Sequence, residues 1–132
     1  MRVELNTEEI KRSLMTIANA VVNEIRKRTL SGLDVDGKAF KKYSAQYAKK
    51  KTDTGRSDTV NLTYSGAMMG SITVRSYNEQ AEIFIADNQR KQIAYKHNFG
   101  DGAPKREFFG VSEVKYKELY EKYFNKPFLR IK

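Results

Sequence analysis

The chain has 132 residues, 39% of them hydrophobic and 31% charged, with a net charge of +9; this composition predicts a single domain over residues 1–132 with a modest core. It contains no cysteine, which excludes disulfides, thiolate metal sites and cysteine nucleophiles. No run approaches the roughly 18 apolar residues of a membrane span, and Met1-Arg2-Val3-Glu4-Leu5 lacks the apolar core of a signal peptide, so neither a membrane partner nor export is expected.

The first predicted element is an amphipathic helix. Asn6 or Thr7 can cap it, and Asn6-Thr7-Glu8-Glu9 has capping-box spacing, with carboxylates at the positive helix end. Ile10, Leu14, Ile17, Val21 and Ile25 then recur in steps of three and four, forming one apolar stripe. Arg26, Lys27 and Arg28 occupy the last turn, and Ser31-Gly32 ends it. Residues 30–43 read as a loop around the turn Asp34-Val35-Asp36-Gly37. Ser44 can cap a short basic helix reaching Lys50, and the polar stretch from Lys51 to Asn61 predicts a mobile loop.

The periodicity then changes. A helical turn or two opens at Tyr64-Ser65-Gly66, followed by two alternating runs, 72–77 and 81–86, joined by Asn78-Glu79-Gln80. This pattern predicts a β-hairpin. Residues 93–99 suggest a short helix, 100–104 a loop and 106–111 a short strand. Ser112 caps a final helix bearing Val114, Leu119, Tyr123 and Phe124, stopped before Pro127. The fold class is therefore α+β: a long N-terminal helix, a basic flexible loop, an antiparallel hairpin or small sheet, and a C-terminal helix.

Charge is concentrated in residues 26–51. Arg26, Lys27, Arg28, Lys38, Lys41, Lys42, Lys49, Lys50 and Lys51 stand there against only Asp34 and Asp36, a net of +7. Such a cluster attracts phosphate or an acidic protein surface, or is a solvated face. Tyrosines interleave with lysines from Lys41 to Lys51, which adds stacking to phosphate contact and keeps nonspecific contact with DNA open. No zinc-finger ligands, RNP-type strand or helix-turn-helix accompanies them.

Little points to catalysis. His97 is the sole histidine, no Gly-x-Ser-x-Gly elbow is present, and a lone histidine among aromatic neighbours is more often structural. Asp34-Val35-Asp36-Gly37 fails as a calcium loop, because the loop would open on Gly32 and put Tyr43 where a glutamate ligand is required. No glycine-rich phosphate cradle occurs, and Gly66, Gly70, Gly100, Gly102 and Gly110 read as turn or close-approach positions. A non-enzymatic protein without a cofactor or metal is expected.

Three segments together resemble the phage virion-morphogenesis (tail-completion) family. Asp36-Gly37-Lys38-Ala39-Phe40-Lys41-Lys42-Tyr43-Ser44 is similar to that family's Asp-Gly-x-x-Phe-x-x-Leu-Ser, with Tyr43 in place of leucine. The segment from Leu62 to Ile72 resembles Leu-x-x-Thr-Gly-x-Leu-x-x-Ser-Ile, matched by Leu62, Gly66, Ser71 and Ile72, with Ser65 in place of threonine and Met68 in place of leucine. His97, Phe99 and Gly100, then Pro104, Arg106, Phe108, Gly110 and Ser112, look like its Ala-x-x-His-x-Phe-Gly and Pro-x-Arg-x-Phe-x-Gly-x-Ser.

The resemblance implies a structural assembly part of a tailed phage or prophage, made in the bacterial cytoplasm and built into the virion tail or neck. It would complete the tail so that tails join DNA-filled heads. Its partners would be tail terminator, tail tube or head–tail connector proteins, with a ring of its own copies. On this reading Phe99 and Phe108 anchor the sheet to the helices. Arg106 offers a bidentate fork to a carboxylate, or serves a local backbone or acidic group. The basic stretch 32–61 orders upon docking against a partner. The alternative is a small basic protein that binds nucleic acid nonspecifically.

Overall fold

A computed structural model describes residues 1–55, 60–62, 67–124 and 129–131. Strand β1 (Val3–Leu5) leads into helix α1 (Thr7–Leu30), followed by α2 (Ala45–Asp53) and the short α3 (Ala67–Gly70). Strands β2 (Ile72–Ser76) and β3 (Ala81–Ile85), helices α4 (Asn88–Phe99) and α5 (Glu113–Tyr123), and strand β4 (Leu129–Ile131) complete the order. The fold is α+β, as expected.

α1 starts where its capping chemistry lies. The Asn6 side chain accepts the Glu9 amide at 3.2 Å, and Glu8 and Glu9 sit in the first turn. Of the apolar stripe, Ile17, Val21 and Ile25 are buried, with Ala18 and Val22 beside them. Burying side chains of this size contributes about 1.5–3 kcal/mol each. The chain reverses at Gly32, whose φ of 81° lies in the left-handed region that a side chain would disfavour. Gly32 then accepts the Phe40 amide at 3.0 Å, closing the loop over the end of α1.

β2 and β3 form the predicted hairpin, antiparallel from Ile72 opposite Ile85 to Ser76 opposite Ala81. Tyr77 and Gln80 close its turn at 2.8 Å. Ile72 and Ile85 are buried, and Val74 and Ile83 pack on the same core against α1. The opposite face carries Arg75, whose guanidinium stands 4.6 Å above the Phe84 ring. Met68 and Met69, Ala94, Phe108 and Leu119 fill the space between α1, α3, α4 and α5.

Several expectations change. The expected basic helix capped by Ser44 is present as α2, but it runs past Lys50 to Asp53, into the stretch expected to be a mobile loop, with Lys51 buried against the body of the protein. Phe40 is buried too, and Leu33 pairs with Ala39. Within the basic stretch, α2 and the buried Phe40 and Lys51 thus have defined places against the rest of the protein. Residues 56–59 of the expected loop, the Ser65 and Gly66 motif positions, and the stop at Pro127 lie outside the described residues. α4 begins five positions earlier than 93, because the Asp87 side chain caps it through the Arg90 amide at 2.9 Å.

The stretch 106–111 is not a strand. Its backbone groups bond to helix ends and side chains: Arg106 N–H donates to His97 O at 2.7 Å, and Phe108 and Phe109 N–H both donate to Asn98 Oδ1 at 3.0 Å. The short pairing of β1 with β4, antiparallel with Glu4 opposite Arg130, had no counterpart in the expected elements.

The two expected phenylalanine anchors also separate. Phe108 has no exposed surface, whereas Phe99 is 62% exposed and its ring lies tilted against Tyr95 at 4.7 Å between ring centroids. At the end of α4 the side chain faces out once Gly100, at φ 75°, turns the chain. A Cβ there would come within 3.0 Å of Lys105 Cβ. Replacing Phe108 by alanine is expected to cost about 3–5 kcal/mol of stability by urea denaturation, and Phe99→Ala to fall within about 0.5 kcal/mol of wild type.

Candidate functional site

The nine basic residues of the predicted cluster divide into two groups. Lys27, Lys38, Lys41, Lys42, Lys49 and Lys50 are exposed. Arg26, Arg28 and Lys51 turn inward, so the nine do not form one partner-facing patch. Arg26 donates to Met69 O and Ile72 O at 3.2 and 3.3 Å, tying α1 to the start of β2. Arg28 is 8% exposed and donates to Gly110 O at 2.9 Å and to Phe108 O. Burial draws its pKa below the usual arginine range, partly offset by Glu24, Asp34 and Asp36. An arginine still keeps its charge in such a place, and the two backbone carbonyls serve its Nη1 and Nη2, while Nε is buried without a partner.

Arg106 makes the matching contact from the other loop. It is 5% exposed, and donates from Nε to Lys41 O at 2.8 Å and from Nη2 to Lys42 O at 3.1 Å. Of its two anticipated roles, the structure gives it the backbone one, because two neighbouring carbonyls present the geometry its fork matches. Val35 N–H donates to Glu107 O at 3.0 Å between the same two loops.

Tyr43 is the hub of this region. The Arg106 guanidinium lies 5.0 Å from its ring centroid and the Lys51 ammonium 4.9 Å. Its hydroxyl accepts the Leu62 amide at 3.2 Å, and Tyr47 packs edge-on at 4.7 Å. Burial pushes the Tyr43 phenol up from its ordinary pKa. Lys51, 1% exposed, also donates to Asn61 Oδ1 at 3.2 Å. Leu62 is held at φ 55°, a left-handed conformation costly for a leucine, by its burial and its bond to Tyr43.

These groups stand at a cleft of about 770 Å³. One wall is the segment leading into α2, with Lys41, Lys42 and Ser44, and Tyr47 in the first turn of α2. The facing wall is α4, with Arg90, Ile93 and His97; Leu62, Met68 and Pro104 close it. The Ser44 hydroxyl caps α2 by accepting the Tyr47 amide at 3.2 Å. His97 Nδ1 is buried without a hydrogen-bond partner. Burial, and then the charge of Arg106, lowers the His97 pKa below 6.5.

Among the remaining motif residues, Gly37 closes the Asp34 turn at φ 79°, and Asp34 Oδ1 accepts the Asp36 and Lys38 amides at 2.9 Å. Ser71 Oγ donates to Met68 O at 2.8 Å and finishes α3. Among the described residues no three potential metal-ligating side chains cluster, and no helix is long and apolar enough to cross a membrane.

Sequence reasoning missed the inward turn of Arg28 and Lys51, although both carried a signal. Arg28 lies three residues beyond Ile25 on the apolar stripe, and Tyr43, Tyr47 and Lys51 fall at steps of four. Asn98, which holds the Phe108 and Phe109 amides, gave none.

Fold and site together define a small α+β domain whose buried cations clasp two irregular loops beside a basic cleft. The chain belongs to the phage virion morphogenesis family, whose profile matches residues 1–126. No curated protein and no solved structure matches it.

Two outcomes follow from the hub and the histidine. Tyr43→Leu, which installs the leucine of the resembled motif, removes the ring under both cations and the acceptor for Leu62. It should lower stability by about 1–3 kcal/mol in urea unfolding, with Tyr43→Phe losing less. The folded state also resists protonating His97, so the unfolded chain takes that proton first as pH falls. The His97 contribution is complete above pH 6.5 and is lost as pH drops from there through the lower folded pKa. A His97→Asn variant should show a shallower decline in stability than wild type over that window.

Proposed function

We propose that this member of the virion morphogenesis family completes the phage tail or neck so that finished tails join DNA-filled heads. The observation that carries the reading is the family match across nearly the whole chain, residues 1–126. The work is binding rather than catalysis. The serine of the cleft caps a helix, Arg106 binds backbone, and no aspartate or glutamate lines the cleft among the described residues.

The partners in this reading are tail terminator, tail tube or head–tail connector proteins, and copies of the chain forming a ring. The protein would reside in the tail or neck of the virion. What supports docking is the outer surface: Lys38, Lys41, Lys42, Lys49 and Lys50 are exposed around α2, and Tyr95, Phe99, Val114 and Tyr116 are exposed on α4 and α5. Exposed aromatic and apolar side chains of this kind are frequent at protein interfaces. The same exposed lysines favour the second reading, nonspecific nucleic-acid binding.

Deleting the gene from its phage or prophage and imaging the induced lysate by negative-stain electron microscopy separates the two. Full heads beside separate, normal-looking tails are expected. Intact, infectious virions in normal number would contradict the joining role and leave nucleic-acid binding in front.

A further inference from the structure

We propose that the cleft between α2 and α4 is a receptor for an acidic, extended peptide segment of a partner virion protein, one that carries an aliphatic anchor beside its carboxylates. The inference rests on the assembly reading and names the chemistry of one of its contacts.

The lining supplies the first argument. Lys41, Lys42, Arg90 and Arg106 all face the cleft, and no carboxylate among the described residues does. Arg106 is held there without neutralisation, because it is bound by the uncharged carbonyls of Lys41 and Lys42. A concave site with one sign of charge and low-dielectric walls focuses its field on an incoming anion. His97 adds no charge at neutral pH, since burial and Arg106 keep it in the neutral form.

The floor supplies the second. The buried Leu62 and Met68 give the cleft an apolar floor, Ile93 adds an apolar side chain on the α4 wall, and about 770 Å³ lies within the roughly 300–1,000 Å³ of sites that enclose an organic ligand. A single anion would leave that surface wet. A segment alternating carboxylate and aliphatic side chains satisfies walls and floor together.

The tyrosines decide against nucleic acid. Single strands bind by stacking bases on open aromatic faces. The Tyr43 ring already carries Arg106 and Lys51 at 5.0 and 4.9 Å, and Tyr47 is packed edge-on against it. The lysines best placed for a phosphate track, Lys49 and Lys50, lie on α2 outside the cleft lining.

The test is fluorescence-anisotropy titration of the full chain with a short labelled peptide that alternates glutamate and leucine. Competitors are its glutamine analogue and oligothymidylate. Arg90→Glu reverses a cleft charge in the first turn of α4, where a glutamate suits the helix end. Lys49→Glu makes the same change of net charge outside the cleft. Circular dichroism confirms that both variants fold.

The proposal predicts saturable binding, at least tenfold weaker in Arg90→Glu, changed less than about twofold in Lys49→Glu, and not displaced by the glutamine analogue. Absence of saturable binding, equal losses in the two variants, or displacement by oligothymidylate at lower concentration than by unlabelled acidic peptide would each overturn it.

Complementation of the deletion phage keeps the two readings apart. If Arg90→Glu has lost the peptide yet restores normal virions, the cleft is not an assembly contact, while the joining role stands. If the deletion itself leaves virions normal, the joining role falls, and the peptide titration still decides the chemistry of the cleft.

Discussion

A buried guanidinium needs acceptors, and an irregular loop has carbonyls without ladder partners; this protein solves both problems with one set of bonds. Arg28, at the end of the long helix, takes the carbonyls of Phe108 and Gly110. Arg106, from the same loop, takes those of Lys41 and Lys42. Each contact is charge-assisted and at least partly buried, where such bonds are worth more than on the surface. Loops that sheet hydrogen bonding does not organise are thereby fixed against the helical body, with Phe108 driven into the core between them.

The basic stretch takes its character from this arrangement. Lys51 lies under the Tyr43 ring, and Arg26 and Arg28 bind backbone. A high local charge thus coexists with a folded segment, because its most interior cations have acceptors and aromatic faces. Lys27, Lys38, Lys41, Lys42 and Lys49 stay on the surface. The departure from the resembled motif at position 43 fits this division, since a leucine offers no ring face to a cation.

Much of the fold was legible because local chemistry and global structure agree. Asn6, Ser44 and Ser112 cap the helices they were expected to cap, and the hairpin register follows the alternation of 72–77 and 81–86. The misses share a physical cause. Lys51 and Phe99 were judged by residue type and local polarity, yet a lysine is buried when an aromatic face and an amide oxygen await it. A phenylalanine at a helix end is exposed when the following glycine turns the chain away. The stretch 106–111 mimics a strand in sequence, but its partners are the Asn98 side chain and the end of α4, which no periodicity encodes. The cleft was invisible for the same reason: its walls come from segments some fifty residues apart in the chain, Lys41 and Lys42 against Arg90 and Ile93.

The central claim is that Arg28, by gripping the 106–111 loop that Arg106 ties to Lys41 and Lys42, holds the two loops as a folded unit in the isolated protein. Native-state hydrogen exchange tests it at the amides of Val35, Arg106, Phe108 and Phe109, which donate across the loops or to α4. The account predicts protection at all four in wild type, and their joint loss of protection in Arg28→Met while Val21 and Ile25 inside α1 stay protected. Exchange at free-chain rates in wild type, or protection unchanged in Arg28→Met, would contradict it.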